Sequence, residues 1–403
     1  MRGFAERVTV EVAVAWLDSN LPHVATLPTE DVGLREALGR VPAGDVVSRV
    51  DVPSFARSMM DGYALRGEDT YGATPYNPLP LKILGTCLPG EPFAGQVSTG
   101  EAVRIMTGAP LPAGADAVLP VEETALDGSQ LLTQGSVSTG KHVGQIGEDV
   151  RRGDVVVRAG RLLRPQDIGV LSSIGQATVR VIRRPRVHLL ITGNELLPAG
   201  TLPEGCRIAD SNGPMLAALV ERDGGEPLES AIVPDRPEAI RAALETPSDI
   251  ILVSGGSSVG QEDHVPRLLA ELGELAVHGI AMRPSSPTGM GKLSGRMVFL
   301  LPGNPVSCLC AYDFFAGRAI RALGGRSKDW PYQRRRVRLS RKLVSVVGRI
   351  DYARVMMVGN EAEPLAVSGA SILSSTTRAD GFIIVPADSE GYPPGADVEV
   401  YLY

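Results

Sequence analysis

The segment from residue 184 to 326 constrains the fold most, because apolar runs of strand length alternate there with helical patterns. Strands are predicted at Val187–Ile191, Ser230–Val233, Ile250–Val253, Val277–Met282 and Met297–Leu301, and helices at Pro214–Arg222, Pro237–Leu244, His264–Leu272 and Pro305–Leu323. Such alternation is typical of a mostly parallel sheet with helices on both faces. Ligands of these sheets bind beyond the carboxyl ends of the strands, so the loops there are the first candidates for a site.

Three of the loops that follow predicted strands are rich in glycine or polar residues. They are Thr192-Gly-Asn-Glu-Leu196, Ser254-Gly-Gly-Ser-Ser-Val-Gly260 and Leu301-Pro-Gly-Asn-Pro305. The topology should bring them to one rim of the sheet, where glycine backbone and helix N-termini bind phosphate-like anions. The chain contains neither G-x-G-x-x-G nor G-x-x-x-x-G-K-[ST], so Rossmann and Walker sites are weakly supported.

Carboxylates lie beside these loops. Glu195 belongs to the first loop, Asp263 follows the second, and Asp210 stands in Ile208-Ala-Asp-Ser-Asn-Gly213. Carboxylate oxygens next to an anion pocket favour Mg²⁺ that bridges phosphates. Each aspartate has a second interpretation as a helix cap, Asp210 for the helix near Pro214 and Asp263 for the helix at His264. Both interpretations stay open from the residues alone.

The rest of the chain has a different pattern of apolar and turn-forming residues. Residues 8–45 have helical patterns, with a second helical piece at Leu34–Leu38 introduced by Thr29-Glu-Asp31, and short β-rich runs separated by Gly and Pro turns fill residues 46–141. We predict four domains: an N-terminal mixed domain of residues 1–45 and 142–183, an inserted β-rich domain of 46–141, an α/β domain of 184–326, and a small C-terminal β-barrel of 327–403.

Composition excludes several classes of protein. The net charge of −6 gives no electrostatic footprint for nucleic acid, and no run of 18 apolar residues predicts a membrane span. The N-terminus lacks the features of a signal peptide, so a cytoplasmic location is expected. The four cysteines form no disulfide framework, and Cys308 and Cys310 are predicted to be buried thiols. The five histidines show no metal-ligand spacing.

Seven motifs, in order, resemble those of one family. They are Ser58-Met-Met-Asp-Gly-Tyr-Ala64, Arg104-Ile-Met-Thr-Gly-Ala-Pro110 with Ala113–Val118, Gly147-Glu-Asp149, Thr192–Leu196, Asp210-Ser-Asn-Gly213, Ser254–Gly260 with Asp263, and Leu301–Ser307. The chain resembles the bacterial molybdopterin molybdenumtransferases, which are related to the plant insertase domain and to the E domain of gephyrin. The resemblance runs from about residue 8 to the C-terminus.

The resemblance implies a multidomain α/β fold with a central molybdopterin-binding α/β sandwich, and an elongated homodimer with sites between protomers. It implies a reaction in which adenylylated molybdopterin and molybdate are converted, with help from Mg²⁺, into AMP and molybdenum bound to the dithiolene. Contacts with the molybdopterin adenylyltransferase and with apo-molybdoenzymes are expected, whereas nucleic-acid and membrane partners are not.

By motif position, the resemblance also implies roles for individual residues. Asp210 and Asp263 would hold the metal, Glu195 would act at the same pocket, and Asp61, Thr107 and Asp149 would reach it across the dimer. The remaining implied binding residues are Thr192, Gly193, Ser254, Gly255, Gly256, Ser258, Gly260, Arg283, Ser286, Pro302, Gly303, Asn304, Pro305, Ser307 and Arg349. Arg349 and Arg354, with Ser307 and a serine within Ser371–Ser375, would complete a site for a dianion.

The chain departs from the family pattern at several positions, and one of them is Gly144-Gln-Ile146, which replaces the basic run that many bacterial members have before G-E-D. The usual M-K-P-G-K-P is Met282-Arg-Pro-Ser-Ser-Pro287, so Arg283 and Ser286 replace two lysines and Ser285 replaces the glycine. Asn194 replaces an aspartate. These changes remove positive and negative charge from the expected pocket, and arginine is not a simple substitute for lysine. The alternatives to a molybdate transferase are therefore a non-catalytic molybdopterin-binding scaffold, a tungstate-specific paralogue, and a hydrolase of another nucleotide pyrophosphate.

Overall fold

The computed structural model describes residues 7–21, 27–228, 232–256, 264–366 and 369–403. Its helices, in chain order, are α1 Val10–Asn20, α2 Leu34–Ala37, α3 Pro165–Ser173, α4 Asn212–Arg222, α5 Pro237–Leu244, α6 His264–Leu272, α7 Pro305–Ala311, α8 Gly317–Leu323 and α9 Ser374–Thr377. A π-helical turn, Tyr312–Ala316, joins α7 to α8. Across these ranges, every helix is too short or too polar to cross a membrane.

The strands are distributed over the whole chain. Up to residue 183 they are β1 Thr29–Gly33, β2 Val46–Val47, β3 Arg57–Ser58, β4 Gly62–Leu65, β5 Leu79–Cys87, β6 Glu101–Ile105, β7 Ala117–Pro120, β8 Thr124–Asp127, β9 Gln130–Thr133, β10 Val143–Gly144, β11 Val155–Val157 and β12 Thr178–Ile182. Beyond it they are β13 Arg186–Thr192, β14 Leu196–Leu197, β15 Ile208–Ala209, β16 Glu226–Pro227, β17 Ile232–Val233, β18 Ile250–Ser254, β19 Glu274–His278, β20 Met282–Arg283, β21 Gly289–Leu293, β22 Arg296–Leu301, β23 Gln333–Leu339, β24 Leu343–Val344, β25 Ile350–Val358, β26 Glu361–Ala366, β27 Gly381–Val385, β28 Gly391–Tyr392 and β29 Asp397–Leu402.

The central sheet has the order β16-β13-β18-β22-β21-β19, with β17 also pairing with β13. Strands β13, β16, β17, β18 and β22 run parallel, while β21 and β19 extend the sheet antiparallel. Successive residues of β18 point to opposite faces: Ile250 and Leu252 pack with α4 and the α7–α8 segment, whereas Ile251 and Val253 pack with α5 and α6. This arrangement confirms the predicted mostly parallel α/β sandwich.

The fourth of the five predicted strands is not a single strand in the structure. The predicted run Val277–Met282 breaks at Gly279, which has a φ of 94° that favours glycine. Residues before the break form the antiparallel edge strand β19, and Met282 and Arg283 form β20, which pairs with β25 of the C-terminal barrel. The strand β21 was not predicted, because its glycines weaken the β-pattern.

Helix α1 packs on the central sheet. The Thr9 hydroxyl accepts a hydrogen bond from the Val12 amide at 3.3 Å, and Ala13 and Leu17 are buried in the same core as β13 and β18. Arg318 of α8 donates to Asp18 at 2.6 Å. The first helix thus shares the core of the α/β domain, whereas the sequence groups it with residues 142–183.

Residues 27–183 form two further parts of the fold, one around the strand pair β1–β12 and one around a six-stranded sheet. Thr29-Glu-Asp31, expected to introduce a helix, instead lies in β1, because Val32 and Thr29 pair with Val179 and Ile182 of β12. Between these elements, the six-stranded sheet β7-β4-β6-β5-β9-β8 forms the inserted β-rich domain. The fold class is as predicted, and the numerical domain boundaries stay predictions.

The C-terminal strands close into a ring of five, β25-β26-β23-β29-β27, because β27 pairs with both β29 and β25. A buried polar cluster fixes this barrel against the central domain. The Tyr332 hydroxyl donates to Asp313 at 2.9 Å, the Arg222 guanidinium donates to it at 3.0 Å, and the Trp330 indole donates to its carbonyl oxygen at 2.7 Å. Burial raises the pKa of Asp313, and Arg222 opposes that rise.

Candidate active site

A cavity of about 720 Å³ opens at the carboxyl ends of β13, β18 and β22. The three loops predicted to share a rim all line it. Its lining includes Thr192, Gly193, Glu195, Asp210, Ser254, Gly255, Gly256, Pro302, Gly303, Asn304 and Pro305. Parallel strands of similar length end at the same edge of the sheet, which explains why residues more than 100 positions apart meet there. Their chemical roles stay predictions.

The backbone of the loop that follows β18 packs directly against the backbone of the loop that follows β13. Gly255 has a φ of 99°, and a Cβ atom at this position would stand 2.1 Å from the Thr192 carbonyl oxygen. A larger residue would therefore push the second loop away from the first. Glycine is thus required at position 255 by close contact as well as by backbone conformation, whereas at position 256 it is favoured by a φ of 54° alone.

Asn212 joins three parts of the site, although sequence reasoning did not select it as a site residue. Its Nδ2 donates to the Ser254 hydroxyl at 2.9 Å and to the Gly303 carbonyl oxygen at 2.7 Å. Its Oδ1 is buried and has no hydrogen-bond partner among the described residues. Its position within the motif Asp210-Ser-Asn-Gly213 was the available signal.

Asp210 combines the two interpretations that the sequence left open. Its Oδ1 accepts hydrogen bonds from the backbone amides of Asn212 and Gly213, both at 2.9 Å, which caps the start of α4. The residue also lines the main cavity, and its Oδ2 makes no hydrogen bond to the described part of the chain. Capping therefore leaves one carboxylate oxygen for another partner.

Asp235 is a second residue that sequence reasoning missed. It lines the main cavity, the Thr192 hydroxyl donates to its carboxylate at 3.5 Å, and its backbone amide donates to Asn194 Oδ1 at 3.3 Å. It lies just after β17, at the same rim as the three loops. The rule that ligands bind beyond strand ends would have found it, because Asp235 follows the predicted strand Ser230–Val233 by two residues.

A second cavity of about 440 Å³ adjoins the first and shares Pro287, Pro302 and Asn304 with it. Three arginines line it, Arg7, Arg283 and Arg349, together with Ser285, Ser286 and Ser307. Arg349 Nε donates at 2.9 Å to Asp351, which is fully buried behind it. The Ser286 hydroxyl oxygen is buried without a hydrogen-bond partner in the described ranges.

The expected dianion group is only partly assembled at these cavities. Arg283, Ser286, Ser307 and Arg349 line the second cavity, and Ser371 lines the first. Arg354 lines neither: it is completely buried in strand β25, where burial lowers the pKa of its guanidinium.

Asp61, Thr107 and Asp149 are exposed and line neither cavity of this chain. Asp61 Oδ1 accepts from the Thr107 hydroxyl at 2.6 Å and from its amide at 2.7 Å, and these bonds lower the pKa of Asp61. Ser258, Gly260 and Asp263 lie outside the described residues. Within the described ranges, no group of three or more His, Cys, Asp or Glu side chains is placed to hold a metal ion.

Three family profiles match the chain in order. Residues 8–175 match the profile described as MoeA N-terminal region (domain I and II), residues 188–322 match the probable molybdopterin binding domain, and residues 336–403 match the MoeA C-terminal region (domain IV). The matches follow the same order as the inserted sheet, the central sheet and the barrel.

Relatives that match over nearly the whole chain point to the same family as these profiles. Molybdopterin molybdenumtransferases from Haemophilus influenzae and Staphylococcus aureus are 32% and 31% identical, covering 92% and 94% of this chain and 93% and 92% of theirs. Two crystal structures of the molybdopterin biosynthesis MoeA protein from Pyrococcus horikoshii have TM-scores of 0.85 and 0.81 at 34% and 32% identity. They cover 98% and 99% of this chain and 99% and 100% of theirs.

Proposed function

Because the chain belongs to the family of molybdopterin molybdenumtransferases, which act in molybdenum cofactor biosynthesis by inserting molybdenum, we propose that it converts adenylylated molybdopterin and molybdate with release of AMP. The observation that carries this proposal is the junction of two unlike cavities. One has bare backbone and carboxylates, and the other has three arginines. A phosphate-bearing substrate in the first would face an oxyanion in the second.

The main cavity is suited to the phosphate-bearing substrate. The Gly256 N–H and the Ser254 hydroxyl, both from the cavity wall, are the proposed donors to a phosphate. The Gly255 N–H donates instead to the Leu301 carbonyl oxygen at 3.4 Å, and the Val306 N–H of α7 donates to the Ala370 carbonyl oxygen at 3.0 Å. Asn212 holds Ser254 and Gly303 in register, so these donors keep their positions while a substrate binds. Binding of this kind orients the phosphoanhydride for attack and excludes water from it.

The described carboxylates fit Mg²⁺ as a cofactor that arrives with the substrate. Mg²⁺ is commonly bound by one or two carboxylates together with substrate phosphates, so a cage made by protein alone is not required. Asp210, with its uncommitted Oδ2, is the proposed ligand in the described part of the cavity, and Asp263 is proposed from the motif. Such an ion would neutralise charge on the phosphates of the bound substrate.

The second cavity is the proposed site for molybdate. Arg283 and Arg349 supply charge and several N–H donors, and Ser286 and Ser307 supply hydrogen-bonding groups from the loop and from α7. Guanidinium groups bind tetrahedral oxyanions through paired hydrogen bonds. Asp351 fixes the orientation of the Arg349 side chain, because it accepts the Nε proton from a fully buried position.

We further propose that the protein works as a homodimer in the cytoplasm. Asp61, Thr107 and Asp149 are exposed and away from both cavities of their own chain, which is the placement expected of residues that serve the site of a partner protomer. The enzyme would receive its substrate from a molybdopterin adenylyltransferase and deliver its product to apo-molybdoenzymes.

The test is incubation of the purified protein with adenylylated molybdopterin, Mg²⁺ and molybdate, with tungstate replacing molybdate in a parallel reaction. We expect release of AMP and formation of a cofactor that activates an apo-molybdoenzyme. Tight binding of the pterin without AMP release would support the scaffold hypothesis instead. Turnover with tungstate alone would identify a tungstate-specific paralogue.

A further inference from the structure

Arg7 reaches the second cavity because the chain before α1 is pinned to the central domain. The Val8 amide donates to the Gly279 carbonyl oxygen at 3.1 Å, and the Ala281 amide donates to the Val8 carbonyl oxygen at 2.8 Å. These bonds form an isolated parallel bridge between Val8 and Ile280. Arg7 is therefore held by backbone pairing beside the segment that continues into Arg283.

The three arginines of the cavity come from three separate segments. Arg7 precedes α1, Arg283 ends β20, and Arg349 precedes β25, yet all three line the same 440 Å³ space. No carboxylate is among the described lining residues, since Asp351 is fully buried behind Arg349. The three guanidiniums give the cavity a positively charged lining, which attracts an anion.

The walls of the cavity add polar groups that suit an oxyanion. The buried Ser286 hydroxyl oxygen has no hydrogen-bond partner within the described residues, although buried polar groups are normally paired. An oxyanion between the arginines could accept a hydrogen bond from this hydroxyl. The combination of three guanidiniums and one unpaired hydroxyl points to a small, multiply charged anion with several acceptor oxygens.

We propose that Arg7 is an oxyanion-binding residue, and that the N-terminal segment thereby contributes to affinity for the tetrahedral dianion consumed at this site. The inference rests on the proposed function, because that function supplies the dianion. It adds a residue outside the matching motifs, from a segment that the sequence assigned to the N-terminal domain. Arg7 provides charge at a cavity where Ser286 carries none.

The test compares molybdate binding, measured by isothermal titration calorimetry on the full-length protein, across a charge series at position 7. Arg7→Lys, Arg7→Gln and Arg7→Glu should weaken binding progressively, with a loss of about tenfold for Arg7→Gln, as expected for one hydrogen bond to a charged group. Arg336→Gln is the matched control, because Arg336 is exposed on β23 and lines neither cavity. It should bind molybdate as the unchanged protein does.

The outcomes separate this inference from the proposed function. If Arg283→Gln weakens molybdate binding while the whole series at position 7 leaves it unchanged, the role of Arg7 is wrong and the oxyanion site stands. If the unchanged protein binds no molybdate, or if Arg283→Gln and Arg349→Gln have no effect, both proposals fail. A graded loss with charge, at an unchanged thermal midpoint, supports binding by Arg7 rather than a structural role.

Discussion

The Ser285 hydroxyl donates a hydrogen bond of 2.5 Å to the carbonyl oxygen of Ser307. This bond ties the loop after β20 to the first turn of α7, and both residues line the second cavity. Ser285 has a φ of 88°, a left-handed conformation that costs a residue with a Cβ atom about 1 kcal/mol or more. Position 285 therefore balances backbone strain against a buried hydrogen bond.

This balance predicts an order of stability for two substitutions. Ser285→Ala loses the hydrogen bond and keeps the strain, whereas Ser285→Gly loses the same bond and relieves the strain. We expect Ser285→Gly to be more stable than Ser285→Ala by about 1 kcal/mol, as measured by urea unfolding. Equal stabilities, or a more stable alanine variant, would show that backbone strain at this position is unimportant.

Because the Asn212 amide bridges two loops of the site, substitution of Asn212 should lower both the stability and the activity of the protein. Asn212→Asp removes the two donors and places a carboxylate near the Gly303 carbonyl oxygen, so it should be more harmful than Asn212→Ala. We expect a loss of about 1–3 kcal/mol for each variant, since buried partners lose their hydrogen bonds. Displacement of the loops should lower the rate of AMP release by about 100-fold.

The control for Asn212 is Asn360→Ala, which removes only an exposed contact with Arg335. Its stability and its AMP release should match those of the unchanged protein. Measurement of thermal unfolding and single-turnover AMP release on the three variants checks the prediction. Full activity in Asn212→Asp would contradict the bridging role.

The central domain could be predicted because local pattern and tertiary structure agree there. Helices α5 and α6 have the predicted bounds, and β13, β18 and β22 differ from prediction by one residue at each end or less. Fully buried parallel strands give long apolar runs, and α5 begins at a proline, which favours the first turn of a helix. The rim loops followed from the topology alone.

Other parts could not be predicted, because long-range pairing overrides local preference. Thr29–Asp31 has the composition of a helix start, yet pairing with β12 makes it a strand. Asn212 lies in a motif and Asp235 follows a predicted strand, yet their hydrogen bonds with Gly303 and Thr192 depend on residues distant in sequence. Arg7 reaches its cavity through a bridge formed by a single residue, Val8, which leaves no periodic signal in the sequence.

Asp167 predicts a pH dependence of stability in the N-terminal region. Both of its oxygens accept from Arg161 at 2.6 Å, and it also accepts from the Arg164 amide at 2.8 Å. The hydrogen bonds from Arg161 hold the pKa of Asp167 well below its ordinary value. A depressed pKa stabilises the folded state above the unfolded pKa, and this stabilisation is lost as the pH falls towards the folded value.

Asp167→Asn should therefore destabilise the protein at neutral pH by about 2 kcal/mol, as expected for hydrogen bonds to a charged group. The difference should shrink as the pH falls below about 4, where the carboxyl of the unfolded chain becomes protonated. Unfolding midpoints at several pH values, with hydrogen exchange of α3 as the local probe, measure the effect. A difference that is independent of pH would rule out the charge of Asp167 as its cause.

The burial of Cys308 and Cys310 predicts that an alkylating reagent will react with the exposed Cys206 and not with them. Burial raises the pKa of Cys308 to about 12 and raises that of Cys310 as well, while Cys206 is exposed. Because the thiolate is the reactive form, iodoacetamide at about pH 8 should modify Cys206 in the folded protein and leave the other two intact. Peptide mass spectrometry measures this, with urea-unfolded protein as the control. Alkylation of Cys308 as fast as Cys206 would contradict its burial.

Substitutions of Asp210 can distinguish its two proposed roles, because helix capping and Mg²⁺ binding need different properties of the side chain. A cap needs one acceptor oxygen, which Asn also has, whereas a Mg²⁺ ligand needs negative charge. Asp210→Asn should therefore keep the stability of the unchanged protein and require about 10–100 times more Mg²⁺ for AMP release. Asp210→Ala should show the same Mg²⁺ defect and lose about 1 kcal/mol as well, because the amides of Asn212 and Gly213 lose their acceptor. Thermal unfolding and Mg²⁺ titration of single-turnover AMP release measure the two effects separately. If Asp210→Asn releases AMP normally at limiting Mg²⁺, Asp210 is a helix cap and the metal role must belong elsewhere.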